Sequence, residues 1–169
     1  TIDTDASDLT VACDGQGNTA ALAAWLASNG GASASDVCSG VRWSNDYSGL
    51  SDGCGATGAA TVTFTATDSC GNATSTTATF TIIDTIAPTI DTDASDLTVA
   101  CDGQGNTAAL AAWLASNGGA SASDVCSGVR WTNNFTGLSD GCGATGAATL
   151  TFTATDSCGN ATSTTATFT

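Results

Sequence analysis

The chain has 169 residues with 16 Asp against two Arg and no Lys, Glu, His or Met, which gives a net charge of -14 at pH 7. A charge of that sign repels nucleic acid phosphates and anionic membrane surfaces, so neither is an expected partner, and divalent cations are the natural counter-ions. Apolar residues make up 41% of the chain, enough for packed cores rather than an acidic tail. No apolar run approaches the roughly 18 residues of a membrane span, and with no initiator Met the chain reads as an internal or processed slice of something longer.

In chain order, Leu9, Val11 and Cys13 alternate with Thr10 and Ala12, the pattern of a half-buried strand. A helix over Thr19 to Ser28 follows: Asn18 or Thr19 can cap it, Leu22, Trp25 and Leu26 form one apolar stripe, and Asn29-Gly30-Gly31 ends it. Val41 and Trp43 point one way and Arg42 and Ser44 the other, a strand expected to turn at Asn45-Asp-Tyr-Ser-Gly49. Val62, Phe64 and Ala66 then face in while Thr61, Thr63, Thr65 and Thr67 face out, and Asp68-Ser-Cys-Gly-Asn72 turns the chain. Ala78, Phe80 and Ile82 continue the apolar face on the return strand. The expected fold is mainly β, an immunoglobulin-like sandwich with one short inserted α-helix.

All of this recurs. The segment from Thr1 to Cys13 returns as Thr89 to Cys101, an offset of 88. Residues 1–81 and 89–169 differ at five positions: Ser44/Thr132, Asp46/Asn134, Tyr47/Phe135, Ser48/Thr136 and Val62/Leu150. Two tandem domains follow, 1–88 and 89–169, with a linker at about 82–90. The linker holds the only Pro, Pro88, which biases the joint toward short, extended and stiff geometry. Further copies are expected on either side.

Eight Cys fall at 13, 38, 54 and 70 and again at 101, 126, 142 and 158. Without His, and with no pair two residues apart, the spacing is wrong for zinc. Two disulfides per domain is the better reading, and it places the chain in an oxidising compartment, secreted or on a cell surface. Cys13 shares the face of Leu9 and Val11, and Cys70 continues that of Val62, Phe64 and Ala66, which favours Cys13–Cys70. Cys38 and Cys54 lie symmetrically about residue 46, which favours Cys38–Cys54. The copies are Cys101–Cys158 and Cys126–Cys142. Four Cys allow three pairings, and the other two stay open.

The stretch Thr61-Val-Thr-Phe-Thr-Ala-Thr-Asp-Ser-Cys-Gly-Asn72, with Thr77-Ala-Thr-Phe-Thr-Ile-Ile-Asp-Thr-Ile-Ala-Pro88, resembles the hyalin-repeat (HYR-like) immunoglobulin-type modules strung along large bacterial surface proteins. The resemblance covers the C-terminal third of each repeat. It implies a β-sandwich, tandem arrangement, an extracellular site and a role in adhesion or fibre architecture. The helix and the four-Cys set depart from the simple hyalin pattern.

Gly15-Gln-Gly17 between a strand and a helix, with Asp36 about 20 residues on, imitates a dinucleotide fingerprint, but the repeated βαβ units which that fold needs are missing. Without His, Lys or Glu, a Ser or Cys nucleophile lacks its usual base, so no enzyme activity and no required cofactor are expected. Calcium is the one plausible ion. Hard carboxylate ligands at the inter-repeat joint, Asp84, Asp91, Asp93 and Asp96 with Asp68, suit it, as do the first-copy equivalents Asp3, Asp5 and Asp8. Solvated Asp that cap turns is the competing reading.

The outward Thr rows suit a pleated sheet by propensity. They also offer O-glycan acceptors at Thr61, Thr63, Thr65, Thr77 and Thr79, while Asn72, Asn134 and Asn160 open N-glycosylation sequons. A third reading, a face that orders water, is opposed by sheet twist. Taken together, the sequence points to a structural repeat of an extracellular fibre or adhesin stalk, its rigid domains stacked end to end. Its partners are neighbouring copies in the same chain or by self-assembly, and attached glycans. The alternative is a carbohydrate- or surface-binding adhesion module, with any binding variation sought at 44–48, where four of the five differences cluster.

Overall fold

Alternating apolar and threonine residues build the centre of each repeat. In the computed structural model, which describes residues 1–169, β5 (Gly58–Thr67) and β6 (Ala73–Ile83) form an antiparallel hairpin registered from Gly58↔Ile82 to Thr67↔Ala73. The period of two sends Val62, Phe64, Ala66, Ala78, Phe80 and Ile82 to one face, where all are buried together with Thr76, and Thr61, Thr63, Thr65, Thr77 and Thr79 to the other. β4 (Arg42–Asn45) joins antiparallel at the β5 edge. β2 (Leu9–Ala12) runs parallel to β6 at the far edge, so the sheet order is β2-β6-β5-β4.

The buried face is covered by α1 (Thr19–Ala27), and a short antiparallel ribbon of β1 (Ile2–Thr4) and β3 (Ser33–Ala34) lies against β6. Each unit is thus a mainly β, immunoglobulin-like sandwich whose second layer is the ribbon plus one helix. The expected stripe is present: Leu22 and Trp25 are buried and Leu26 packs against them. The Trp25 ring meets Phe64 edge-on at 5.2 Å and Phe80 at 5.6 Å, while its indole N–H donates to Ser7 O at 3.0 Å. A buried tryptophan needs such a partner for its polar end.

A tight 3-10 turn, Asn29–Gly31, ends the helix against this wedge. Gly30 has φ +65°, and a Cβ there would lie 3.0 Å from Ala6 and 3.1 Å from Phe64. Both the backbone conformation and the close approach demand glycine. At the head of β5, any Cβ on Gly58 would collide with the Ser51 carbonyl.

The chain folds as two compact units, Thr1–Asp84 and Thr85–Thr169. The second unit repeats the plan with β7 (Thr89–Thr92), α2 (Thr107–Ala115), β8 (Ser121–Ser123), β9 (Arg130–Asn133), β10 (Ala148–Thr155) and β11 (Ala161–Phe168). Its sheet order is β11-β10-β9, and the counterpart of β2 is a single parallel bridge, Leu97↔Phe168. Trp113 repeats the wedge, 5.2 Å from Phe152 and 5.7 Å from Phe168, with its N–H on Ser95 O.

One expected element is wrong. The chain does not make a hairpin at residues 45–49; after β4 it runs on as a wide loop in which Leu50 reaches the core and Ser51 N–H bonds Ala59 O at 2.8 Å. The partner of β4 is β5, registered Arg42↔Thr67 to Asn45↔Phe64.

Because the two repeats are so alike, they should unfold together. Trp25→Ala removes the wedge from one repeat only and should weaken that repeat by about 3–5 kcal/mol. Urea unfolding should then split into two transitions, and a single unshifted transition would contradict this packing.

Candidate functional site

With two Arg for 16 Asp, most carboxylates must find partners other than cations. They find backbone N–H groups, which is what an acceptor-only side chain requires. Asp8 Oδ1 accepts from Thr79 N–H at 2.7 Å, extending the β2 edge by one side-chain bond. Asp46 Oδ1 accepts from Thr63 N–H at 2.7 Å and does the same beyond β4. Asn134, its counterpart, offers its own Oδ1 to Thr151 N–H at 2.9 Å. The Asp46/Asn134 difference therefore preserves the acceptor and discards the charge. Tyr47 and Phe135 both pack against their cores, and Val62 and Leu150 are both buried.

The loop that imitates a dinucleotide fingerprint is closed from within. Asp14 Oδ1 accepts from the N–H groups of Gln16 at 2.7 Å and Asn18 at 2.9 Å. Asn18 does not cap α1 with its side chain; it adopts φ 49° and sends Nδ2 to Ala12 O at 2.8 Å. A carboxylate of the chain itself thus holds the N–H groups that a phosphate would need.

The expected calcium ligands have similar internal tasks. Asp68 ties the β5–β6 turn by accepting from Cys70 N–H at 2.8 Å, Asn72 N–H at 2.9 Å and Asn72 Nδ2 at 2.7 Å. Asp91 accepts from Ser123 Oγ at 2.9 Å, as Asp3 does from Ser35, and Asp96 from Thr167 N–H at 2.8 Å. Asp93 and Asp5 are exposed, and Asp84 closes the first unit. Within either unit, no three Asp or Cys ligand atoms come within 4.8 Å of one another.

The threonine face is as expected in orientation. Thr61 and Thr77 are exposed and Thr63, Thr65 and Thr79 half-buried. Thr61 and Thr79 face each other across the hairpin with their hydroxyls 2.9 Å apart. Asn72 is exposed, Asn160 is half-buried with Nδ2 on Asp156 at 2.8 Å, and Asn134 is exposed beside β9. A glycan on Asn72 or Asn160 would occupy the nitrogen that holds its turn.

The cysteines overturn the expected pairing. In the first unit Cys13 and Cys54 are disulfide-bonded and Cys38 and Cys70 are exposed thiols. In the second, Cys126 and Cys158 are bonded and Cys101 and Cys142 are exposed thiols. None of Cys13–Cys70, Cys38–Cys54, Cys101–Cys158 or Cys126–Cys142 forms. Register is the reason. Cys13 N–H bonds Ile83 O at 2.8 Å, at the end of β6 where Gly58 and Cys54 also lie. Cys70 precedes the other end of β6, 11 residues of strand away, about 35 Å at the usual rise per residue. No disulfide spans Cα atoms more than about 7 Å apart. Cys38, carried back along the β4–β5 register from Arg42↔Thr67, comes level with Cys70 and Gly71 rather than with Cys54. Face parity was legible in the sequence; which end of the sheet each cysteine occupies was not.

No protein-family model matches the chain, and no curated protein matches it; the hyalin-repeat resemblance rests on its motif residues alone. Among solved structures, the chain is similar to Drosophila N-cadherin EC1-4, at TM-score 0.31 and 12% identity over 78% of this chain and 41% of that one. It is also similar to PcdhgB3 EC1-4, at TM-score 0.29 and 14% identity over 65% and 31%. A third is the Protocadherin GammaB4 extracellular domain, at TM-score 0.27 and 14% identity over 65% and 20%. The chain spans less than half the length of each, and the fold rests on the sheet topology above, not on these likenesses.

The carboxylates that hold turns titrate low. The N–H groups of Asn18 and Gln16 lower Asp14, the Thr63 N–H lowers Asp46, and the Asn72 side chain, then its N–H, lower Asp68. The Asn106 and Gln104 N–H groups lower Asp102; at Asp156 burial is the largest single effect and works the other way, but the bonds from Asn160, Gly159 and Cys158 together outweigh it. A carboxylate lowered on folding stabilises in full above its unfolded value of about 3.9 and loses that contribution as pH falls through the folded value. Both repeats should therefore weaken below about pH 4, the first additionally at Asp46, where the second has Asn134. Asp46→Asn should shrink the acid loss of the first repeat in melts compared between about pH 6 and pH 3; an unchanged loss would contradict the role of this side chain.

Proposed function

We propose that the chain is a structural repeat unit of an extracellular fibre or adhesin stalk. The observation that carries this reading is the near-verbatim repetition of a domain with its own tryptophan-centred core and its own disulfide. A spacer gains length by adding copies, and each copy must hold by itself. The disulfides support a secreted or surface location, since such bonds persist in oxidising compartments. No helix is long and apolar enough to cross a membrane. With many of its carboxylates holding backbone N–H groups and no His or Lys to serve as a proton acceptor, the chain acts by shape and endurance rather than by catalysis. Acidic surfaces keep such an array soluble and unattractive to nucleic acid.

The regular threonine face and the sequons provide acceptors for attached glycans, and the neighbouring copies are the partners the reading requires. A second reading, a carbohydrate- or surface-binding module, has one observation in its favour: four of the five differences fall at 44–48. This is the exposed end of an edge strand, with Ser44, Ser48, Thr132 and Thr136 all exposed.

Negative-stain imaging of the native material should show elongated filaments. Dispersed single particles that bind a soluble carbohydrate would overturn the fibre reading in favour of the second.

A further inference from the structure

Two repeats that differ at five positions, none of them a cysteine or next to one, each close a different bridge. The first bonds Cys13 and Cys54 and leaves Cys38 and Cys70 as thiols; the second bonds the equivalents of Cys38 and Cys70 and leaves those of Cys13 and Cys54. We propose that every domain carries both: Cys13–Cys54 with Cys38–Cys70, and Cys101–Cys142 with Cys126–Cys158.

The scaffold around each thiol pair matches its bonded counterpart. Cys13 Sγ approaches Ala56 O at 3.8 Å in the bonded pair, and Cys101 Sγ approaches Ala144 O at 3.5 Å in the thiol pair. At the other end, Ser157 N–H donates to Ser127 Oγ at 3.1 Å beside the bonded Cys126 and Cys158. Ser69 N–H donates to Ser39 Oγ at 3.3 Å beside the thiols Cys38 and Cys70. The flanking carboxylates repeat as well: Asp124 and Asp156 accept from the N–H groups of Cys126 and Cys158 at 2.9 and 2.8 Å. Asp36 and Asp68 do so for Cys38 and Cys70 at the same distances.

Open clefts lie beside residues that flank each thiol pair. One is lined by Val99, Cys101, Asn106, Ala144 and Phe168, where the second unit lacks its bridge. Another, in the first unit, is lined by Asp36, Val41, Asp68 and Asn72, and its two carboxylates are those that hold the Cys38 and Cys70 N–H groups.

Both bridges fit one domain, because Cys13–Cys54 lies at the Gly58↔Ile82 end of the hairpin and Cys38–Cys70 at the Thr67↔Ala73 end. The pairing interlaces, first with third and second with fourth, so the chain between Cys13 and Cys70 is locked at both ends of the sheet. Closure of each pair joins two sulfurs and removes two protons and two electrons. An external low-molecular-weight disulfide takes the electrons and leaves as two thiols. One cysteine thiolate attacks it to form a mixed disulfide, and the second displaces the remaining thiol.

Digestion before Asp separates all four cysteines of a repeat without reduction, on peptides 8–13, 36–45, 52–67 and 68–83, and likewise 96–101, 124–139, 140–155 and 156–169. On material isolated with its thiols blocked, peptide 8–13 should be joined to 52–67, 36–45 to 68–83, 96–101 to 140–155 and 124–139 to 156–169. No cysteine should carry the blocking group, and the intact chain should be lighter than its reduced form by one hydrogen per cysteine. Blocked Cys38, Cys70, Cys101 or Cys142, or 8–13 joined to 68–83, would overturn the proposal. In Cys70→Ser the thiol released should be Cys38; release of Cys13 instead would also overturn it.

Discussion

Each repeat is organised around one indole. Trp25 leaves α1, fills the space over Phe64 and Phe80, and ties its N–H to Ser7 O. Helix, N-terminal segment and central hairpin are thereby joined at one place. A domain of this size buries a modest core, so a large aromatic that touches every layer carries a large share of its stability. Gly30 is the complementary constraint, since the chain can pass over the wedge only where there is no Cβ.

The second organising fact is electrostatic. In a chain almost without cations, ion pairs cannot stabilise the surface, and acidic side chains serve instead as acceptors for backbone N–H groups that strands and turns leave over. Asp8 and Asp46 do this at sheet edges, Asp14 and Asp68 in loops. The same side chains that give the chain its net charge therefore finish its secondary structure. The replacement of Asp46 by Asn134 shows which property matters there: an oxygen in the right place.

The parts of the fold that depend on local periodicity were legible. Thr-alternating strands, the Leu22, Trp25 and Leu26 stripe and the Asp68–Asn72 turn all follow from spacing. Pairing was not legible, because alternation tells which face a side chain takes and says nothing about which strand lies alongside or in which direction it runs. The parallel docking of β2 on β6 puts Cys13 far from Cys70. The wide loop after β4 removes the symmetry that seemed to bring Cys38 to Cys54. Asp96 was singled out as a cation ligand by residue type, and its backbone partner Thr167, 71 residues on, could not be read from spacing; Asp68, singled out the same way, instead holds Cys70 and Asn72 of its own turn.

Tandem copies, internal cores and bridges at the sheet ends all serve endurance, and in this account endurance begins at the indole. Hydrogen exchange of the four indole N–H groups, followed by NMR, tests this most directly. Trp25 and Trp113 should be protected to the level of the β5–β6 and β10–β11 amides, while the half-exposed Trp43 and Trp131 exchange quickly. Exchange of all four at one fast rate would contradict a fold built on that wedge.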